Sequence, residues 1–171
     1  TIENGKGVID CAKVTSKGIE ELTTILKEPF HLSYPYILKH QNNIYMLPET
    51  SEKREIRLYR STTFPTEWTF DRTLISDVLA ADSILLRNEN EWHLITNLSS
   101  GLVKDFGSEL WHFSAQNLNQ SEWKPNLHNP ISMDARVSRN AGSYKLGSNF
   151  FRCNQVPGFS QYGFGVEINI I

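Results

Sequence analysis

Cysteine is scarce. Cys11 and Cys153 lie 142 positions apart (153 − 11) with no Cys or His at ligand spacing beside either, which argues against a zinc knuckle or a disulfide framework and leaves buried free thiols as the expectation. Long apolar runs are missing too. The densest stretches, such as Ile84-Leu85-Leu86, fall far short of the roughly 18 residues that cross a bilayer, and no charged-then-apolar leader opens the chain; membrane insertion is not expected. Nor is one charge in excess. Seventeen Lys and Arg against nineteen Asp and Glu leave a net −2, which exerts no pull on a nucleic-acid backbone. Gly-rich phosphate loops, nucleophile elbows and HExxH helices are lacking, so no metal or cofactor is expected. The first residue is Thr1 rather than Met, which suggests a processed product or an excised piece whose targeting signal was lost with the rest.

What is present is a normal supply of core formers. With 39% hydrophobic and 21% charged residues in 171, the chain suffices for one domain of the usual ~100–200 residues and does not read as disordered. Its organisation shows in a self-comparison, because a fixed period of about 20–50 residues marks an array of supersecondary units. The run YPYILKHQNNIYMLPET from Tyr34 matches ADSILLRNENEWHLITN from Ala81 at an offset of 47 (81 − 34). Downstream, EIRLYRSTTFPTEW from Glu55 matches ELWHFSAQNLNQSEW from Glu109, and SYKLGSNFFR from Ser143 falls under ILKHQNNIYM from Ile37. Upstream, GVIDCA and residues 19–26 resemble only the second half of a unit.

Each half-unit is two runs of β formers around a polar turn, a hairpin pattern. Four short strands per unit of about 40–50 residues is the signature of β-propeller blades. The fold expected is therefore all-β, an incomplete ring of three to four blades: residues 1–27 an outer half-blade, 28–76 and 77–131 blades, and 132–171 a partial blade. Trp68 and Trp123 belong to outer strands in this scheme. A helix over 16–27, where Ile19, Leu22, Ile25 and Leu26 have tolerable helical spacing, is the competing reading, disfavoured because its register matches the Trp68 strand. An open arc would expose sheet faces, so additional chain, a partner domain or a second copy is expected to cover them.

In combination, HLSYPY, IYMLPE and RLYR followed by FP-x-x-W resemble the N-terminal domain of plant glucosamine inositolphosphorylceramide transferases and its bacterial relatives, some fused to formyltransferase-like domains. That family is in turn similar to the five-bladed propellers of family 43 glycoside hydrolases, which implies a carbohydrate-facing funnel. The resemblance also implies an Ala-Asp-Pro inner strand before HLSYPY, which this chain lacks; in a hydrolase it would carry the general base. Arg139-Asn140-Ala141-Gly142 fits the family's Arg-x-Ala-Gly pattern.

Propeller sites lie where innermost strands begin, which the repeat places at residues 31–36, at Asp82 and Ser83, and at residues 139–142. Asp82, flanked by apolar residues, is expected to be partly desolvated with a raised pKa; the plainer alternative is a carboxylate accepting backbone N–H bonds. Glu49 ends the second strand of its blade, or is simply a solvated turn residue. Asp82 and Glu49 form the one candidate catalytic pair, since glycoside hydrolysis needs two carboxyl groups about 5–5.5 Å or about 6.5–9.5 Å apart. His31, Ser33, Tyr34, Ser83, Arg139 and Asn140 are the candidate substrate-binding residues: rings to stack on a pyranose, polar groups for its hydroxyls, and a guanidinium fork for a carboxylate or phosphate. Arg139 has a plainer role as ion-pair partner of Asp82 or Asp134; for Tyr34 the plainer role is packing between blades with the hydroxyl capping a strand, and that structural reading is the one taken for Tyr36. His93 and His112 read as packing residues, and His128 as a loop residue. The sequons at Asn97 and Asn119 are discounted as chance matches.

The function expected is a carbohydrate- or sugar-nucleotide-binding module of a larger glycan-modifying protein. The alternatives are a glycoside hydrolase-like enzyme with part of its carboxylate set in a missing blade, and a scaffold for assembly.

Overall fold

Two-residue turns set the architecture. Gln41 and Gly147 adopt φ of 52° and 62°, the left-handed conformation that tight hairpins require, and they join His40 to Asn43 and Leu146 to Asn149 as paired residues. The computed structural model describes residues 1–99, 105–120, 122–158 and 163–171. The chain opens with β1 (Ile2–Glu3), β2 (Lys6–Gly7), β3 (Ile9–Thr15) and β4 (Gly18–Leu26). Next come β5 (Ser33–His40), β6 (Asn43–Glu49), β7 (Glu55–Thr63) and β8 (Glu67–Ser76). After them lie β9 (Ala80–Arg87), β10 (Trp92–Leu98), β11 (Leu110–Ala115) and β12 (Lys124–Pro125), and finally β13 (Asn140–Leu146), β14 (Asn149–Val156) and β15 (Gly165–Ile170).

Sequential strands pair antiparallel, giving meander sheets of order β3-β4, β5-β6-β7-β8, β9-β10-β11-β12 and β13-β14-β15, beside the small β1-β2 ribbon. No sheet closes on itself among the described residues. Among the described residues the sole helical element is a 3-10 turn at Ser51–Lys53, so the all-β expectation holds. The helical alternative over 16–27 does not: β4 forms a hairpin with β3, with Thr15 paired to Gly18.

The core lies between successive sheets. One apolar cluster joins Tyr45, Leu47, Ile56 and Leu58 to Leu85, Leu94, Phe113 and Trp123, filling the space between the second and third sheets. Another joins Ile9, Leu26 and Leu32 to Met46 and Tyr59. A third, of Ile84, Leu86, Ile95 and Leu110, receives Phe150 from β14 and both Tyr34 and Tyr36 from β5. Strand β10 therefore has both faces covered, Trp92, Leu94 and Leu98 on one and Ile95 on the other, which explains why every residue of the strand except His93 is buried, polar Thr96 and Asn97 included.

Two expectations need correction. Trp68 lies in β8, the last strand of its sheet, but Trp123 sits one residue before β12 and is a buried core residue: its ring is worth more packed against the neighbouring sheet than held on an outer strand. Cys11 and Cys153 are free, as expected, but half-buried rather than buried, because each lies in a strand of an end sheet that has a neighbour on one face only.

Candidate functional site

The first strands of three sheets meet at one place. The Tyr36 hydroxyl on β5 donates to Leu85 O on β9 at 3.2 Å and lies 2.8 Å from Ser143 Oγ on β13, so one side chain touches the first strand of all three sheets. Burial pushes its pKa up, in keeping with the inter-sheet role expected of it.

Where each of these strands begins, its pairing is interrupted. Ser33 pairs with Glu49 and Tyr36 with Leu47, so Tyr34 and Pro35 together oppose Pro48. Ala81 pairs with Asn97 and Ile84 with Ile95, so Asp82 and Ser83 oppose Thr96. Asn140 pairs with Asn154 and Gly142 with Cys153, which leaves Ala141 extra. A bulge of this kind re-aims side chains. Tyr34 and Asp82 both take left-handed φ, 46° and 48°, a conformation that non-glycine residues adopt at some strain and that concentrates at functional sites.

The bulges gather a polar cluster. Asp82, 3% exposed, accepts Arg139 Nε at 2.7 Å and Gln155 Nε2 at 3.4 Å. Burial pushes the Asp82 carboxyl up from the ordinary carboxylate value and the guanidinium opposes the rise, as a desolvated carboxylate beside one cation should behave. Asp82 therefore forms the ion pair anticipated for Arg139, while Asp134 pairs with Arg136 instead. Glu49 is half-buried and bonded to Ser33; burial first, and then the Asp82 charge, raise its pKa, against smaller opposing effects from Ser33, Arg139 and His31. Tyr34 is raised by burial and then by Asp82, and its hydroxyl is buried with no hydrogen-bond partner among the described residues. His31 is fixed from both sides: Nδ1 accepts Gly7 N at 2.9 Å, and its backbone N donates to Glu52 Oε2 at 2.7 Å. A side chain at position 7 would collide with Leu32 O at 2.1 Å, so only glycine lets the β2 backbone reach the imidazole.

Hollows flank the cluster. One of about 400 Å³ is bordered by His31, Ser33, Tyr34 and Asp10; another of about 200 Å³ is bordered by Arg139, Gln155, Asp105 and Gly163.

Ser83 and Asn140 sit beneath the cluster, not at its surface. The Ser83 hydroxyl lies 2.7 Å from Thr96 Oγ1, and Asn140 Nδ2 donates to Asp82 O at 2.8 Å and Ile95 O at 3.2 Å. Asn97 accepts Asn140 N at 2.9 Å and donates to Ser138 O at 2.9 Å. Arg152 Nη1 donates to Asn140 Oδ1 at 3.0 Å and Ser138 O at 3.2 Å, and its Nη2 to Val137 O. This buried network binds β9 and β10 to β13 and β14, fully paired in the way that buried polar groups require. It also removes Asn97 as a glycosylation acceptor, since the residue is fully buried.

Sequence reasoning missed Gln155, Asn97 and Arg152. The available signal was register: Asn140 pairs with Asn154, which places Arg152 and Gln155 on the neighbouring strand of the bulged segment. His93 and His112 do more than pack. Nδ1 of His93 lies 3.0 Å from Nε2 of His112 and the rings stack, with Asn88 and Asn126 hydrogen-bonded at either end. Among the described residues no group of three or more His, Cys, Asp or Glu is placed to hold a metal ion. The sequon at Asn119 includes Ser121, which lies outside the described residues.

Fold and cluster together define a multi-sheet β domain with a carboxylate, guanidinium and aromatic-hydroxyl constellation where the first strands of three sheets meet. Over residues 2–171 the chain matches the family described as glucosamine inositolphosphorylceramide transferase 1, N-terminal, and it belongs to that family. The resemblance carried by HLSYPY, IYMLPE and RLYR is thereby borne out. Glucosamine inositolphosphorylceramide transferase 1 of Oryza sativa subsp. japonica is 36% identical over 148 residues, covering 83% of this chain and 19% of the rice protein. Its Arabidopsis thaliana counterpart is 31% identical over 173 residues, covering 97% of this chain and 22% of that protein. The chain thus spans about a fifth of the length of these relatives. No solved structure matches it.

Proposed function

We propose that this domain is a carbohydrate- or sugar-nucleotide-binding module of a larger glycan-modifying protein. The observation that carries the reading is the convergence of Tyr34, Glu49, Asp82 and Arg139 at the bulged strand starts, within one another's electrostatic fields. A pyranose offers hydroxyls that donate to carboxylates and accept from guanidinium and phenol, and an apolar face for a ring. The Tyr34 hydroxyl, buried and unspent within the described residues, supplies one such contact. The printed name of the relatives, glucosamine inositolphosphorylceramide transferase 1, supports a glycan-modifying setting.

In the same reading the sheets are blades of a five-bladed, glycosidase-like propeller, with 1–27 an outer half-blade, 28–76 and 77–131 blades and 132–171 a partial blade. The exposure of Val14, Ile19 and Leu22 on the first hairpin and of Val166, Ile168 and Ile170 on β15 supports an open arc covered by additional chain, a partner domain or a second copy.

The test is a calorimetric titration of sugars and sugar nucleotides into wild type and Asp82→Ala. Saturable binding that the substitution weakens at least tenfold supports the module; no binding by any member of the panel removes it. One observation favours a second, hydrolytic reading: Glu49 is held toward its protonated form by burial and by Asp82, as a general acid must be. Release of a reporter aglycone that Glu49→Gln abolishes would establish hydrolysis, and turnover unchanged by that substitution would eliminate the assignment.

A further inference from the structure

The opposite ends of the same strands carry a second constellation, independent of the first. Strands β5, β7, β9 and β11 run away from the Asp82 cluster, and β6, β8, β10 and β12 run back towards it. At the far end, between the second and third sheets, lies a pocket of about 370 Å³ bordered by Arg60, Arg72 and Arg87 but, among the described residues, by only one carboxylate, Asp71. In a chain of net charge −2, three guanidiniums around one cavity are a local reversal of sign.

A bulge builds the arrangement. Leu58 pairs with Arg72 and Tyr59 with Phe70, so Asp71 is the extra residue of β8. Neighbours that would ordinarily point to opposite faces of a strand here make contact, with Arg72 Nε 2.5 Å and Arg60 Nε 3.5 Å from the two Asp71 oxygens. The carboxylate thus holds two guanidiniums in place while neutralising one of them. From the other wall, Arg87 stands over the Trp92 ring, 5.7 Å from its centroid, with no carboxylate in ion-pair range among the described residues. His40 meets the same ring edge-on at 4.8 Å, and the amides of Asn43 and Asn119 complete a polar lining. A planar fork braced on an aromatic face loses little freedom when it binds, and guanidinium geometry matches the paired oxygens of phosphate.

We propose that this pocket binds a phosphate-type oxyanion, the phosphate or diphosphate group of a small molecule or of a lipid headgroup, at a site separate from the Asp82 cluster. The occupant is anionic because one carboxylate, Asp71, faces three guanidiniums among the described lining residues, and small because a cavity of about 370 Å³ is at the low end of small-molecule pockets.

Inorganic pyrophosphate is titrated into wild type, Arg87→Gln, Arg60→Gln and Lys17→Gln, with circular dichroism to verify folding; a parallel arm sediments each protein with phosphatidylcholine vesicles with and without phosphatidic acid. Lys17, exposed in the turn between β3 and β4, controls for the loss of one positive charge. The proposal expects saturable 1:1 binding in at least one arm, weakened at least tenfold by either arginine substitution, unaffected by Lys17→Gln and weakened by salt. Pyrophosphate binding identifies a soluble source; binding confined to phosphatidic acid vesicles identifies a headgroup. Because Asp71 contributes the one opposing charge, Asp71→Asn should tighten binding, an outcome that mere structural damage does not produce. Absence of binding in both arms, or equal binding by folded wild type and the arginine variants, overturns the proposal.

Discussion

Arg139 donates its Nε–H to Asp82 Oδ2 at 2.7 Å across 57 residues of sequence, joining the bulge of the third sheet to that of the fourth. The Asp82 side chain is 5% exposed and that of Arg139 25%, so the carboxylate depends on the guanidinium far more than the reverse. Removing one member of such a pair leaves an uncompensated buried charge.

Arg139→Gln should therefore destabilise the domain by about 3 kcal/mol at pH 7, and by less at pH 4.5. Burial raises the Asp82 pKa in the folded state, so the folded protein holds that proton more tightly than the unfolded chain does. Stability contributed by this group consequently falls as pH rises from the unfolded carboxylate value, about 4, through the raised folded value. Loss of the guanidinium raises the folded value further and widens that window. Urea denaturation of both proteins at the two pH values measures the difference; an equal loss at both would show that Asp82 is not the group involved.

Glu49→Gln should act in the opposite direction on stability. Burial and the Asp82 charge disfavour the Glu49 carboxylate, so a neutral amide of the same shape relieves an unfavourable ionisation and should raise the urea midpoint at pH 7. At pH 4, where the wild-type carboxyl is largely protonated, the two midpoints should converge. A less stable variant at pH 7 would mean that the carboxylate is stabilised in place.

Tyr34→Phe removes a buried hydroxyl without a partner among the described residues. Since an unsatisfied buried group carries a desolvation penalty of about 1–3 kcal/mol, thermal unfolding should move to the same or a higher temperature. The same substitution should weaken the binding of any ligand that uses the hydroxyl, so stability and affinity separate in one variant. Lower stability would reveal a bond that the hydroxyl makes within the protein.

Leu58→Ala tests the layered core. Leu58 is 0% exposed, in the cluster between the second and third sheets, and its truncation should cost about 2–5 kcal/mol, read as a fall in the urea midpoint at unchanged slope. A loss under 1 kcal/mol would mean that these sheets are not packed as described.

Strands were legible because their pattern is local. Apolar runs on either side of a polar turn in ILKHQNNIYM and the tight turns at Gln41 and Gly147 specify hairpins before any tertiary contact forms. The bulges were not, because an extra residue in one strand has no sequence mark when it is Tyr34 or Asp82 and not glycine. Sequence matching therefore set Tyr34 beside Ala81, whereas pairing aligns it with Asp82, an offset of 48 (82 − 34). Tyr34, Glu49, Asp82 and Arg139 come together from separate repeats because each repeat begins at the same junction. The buried network of Asn97, Asn140 and Arg152 stayed hidden, since a polar residue in a strand reads as solvent-facing until the neighbouring sheet is in place.

The central claim, that bulged strand starts from three sheets form one carbohydrate-binding site, is tested most directly by mapping amide chemical shifts in the isotope-labelled protein as a binding sugar or sugar nucleotide is added. Perturbations concentrated at residues 31–34, Glu49, Asp82, Arg139 and Gln155 are the result expected. Saturable binding with those resonances unmoved would contradict it.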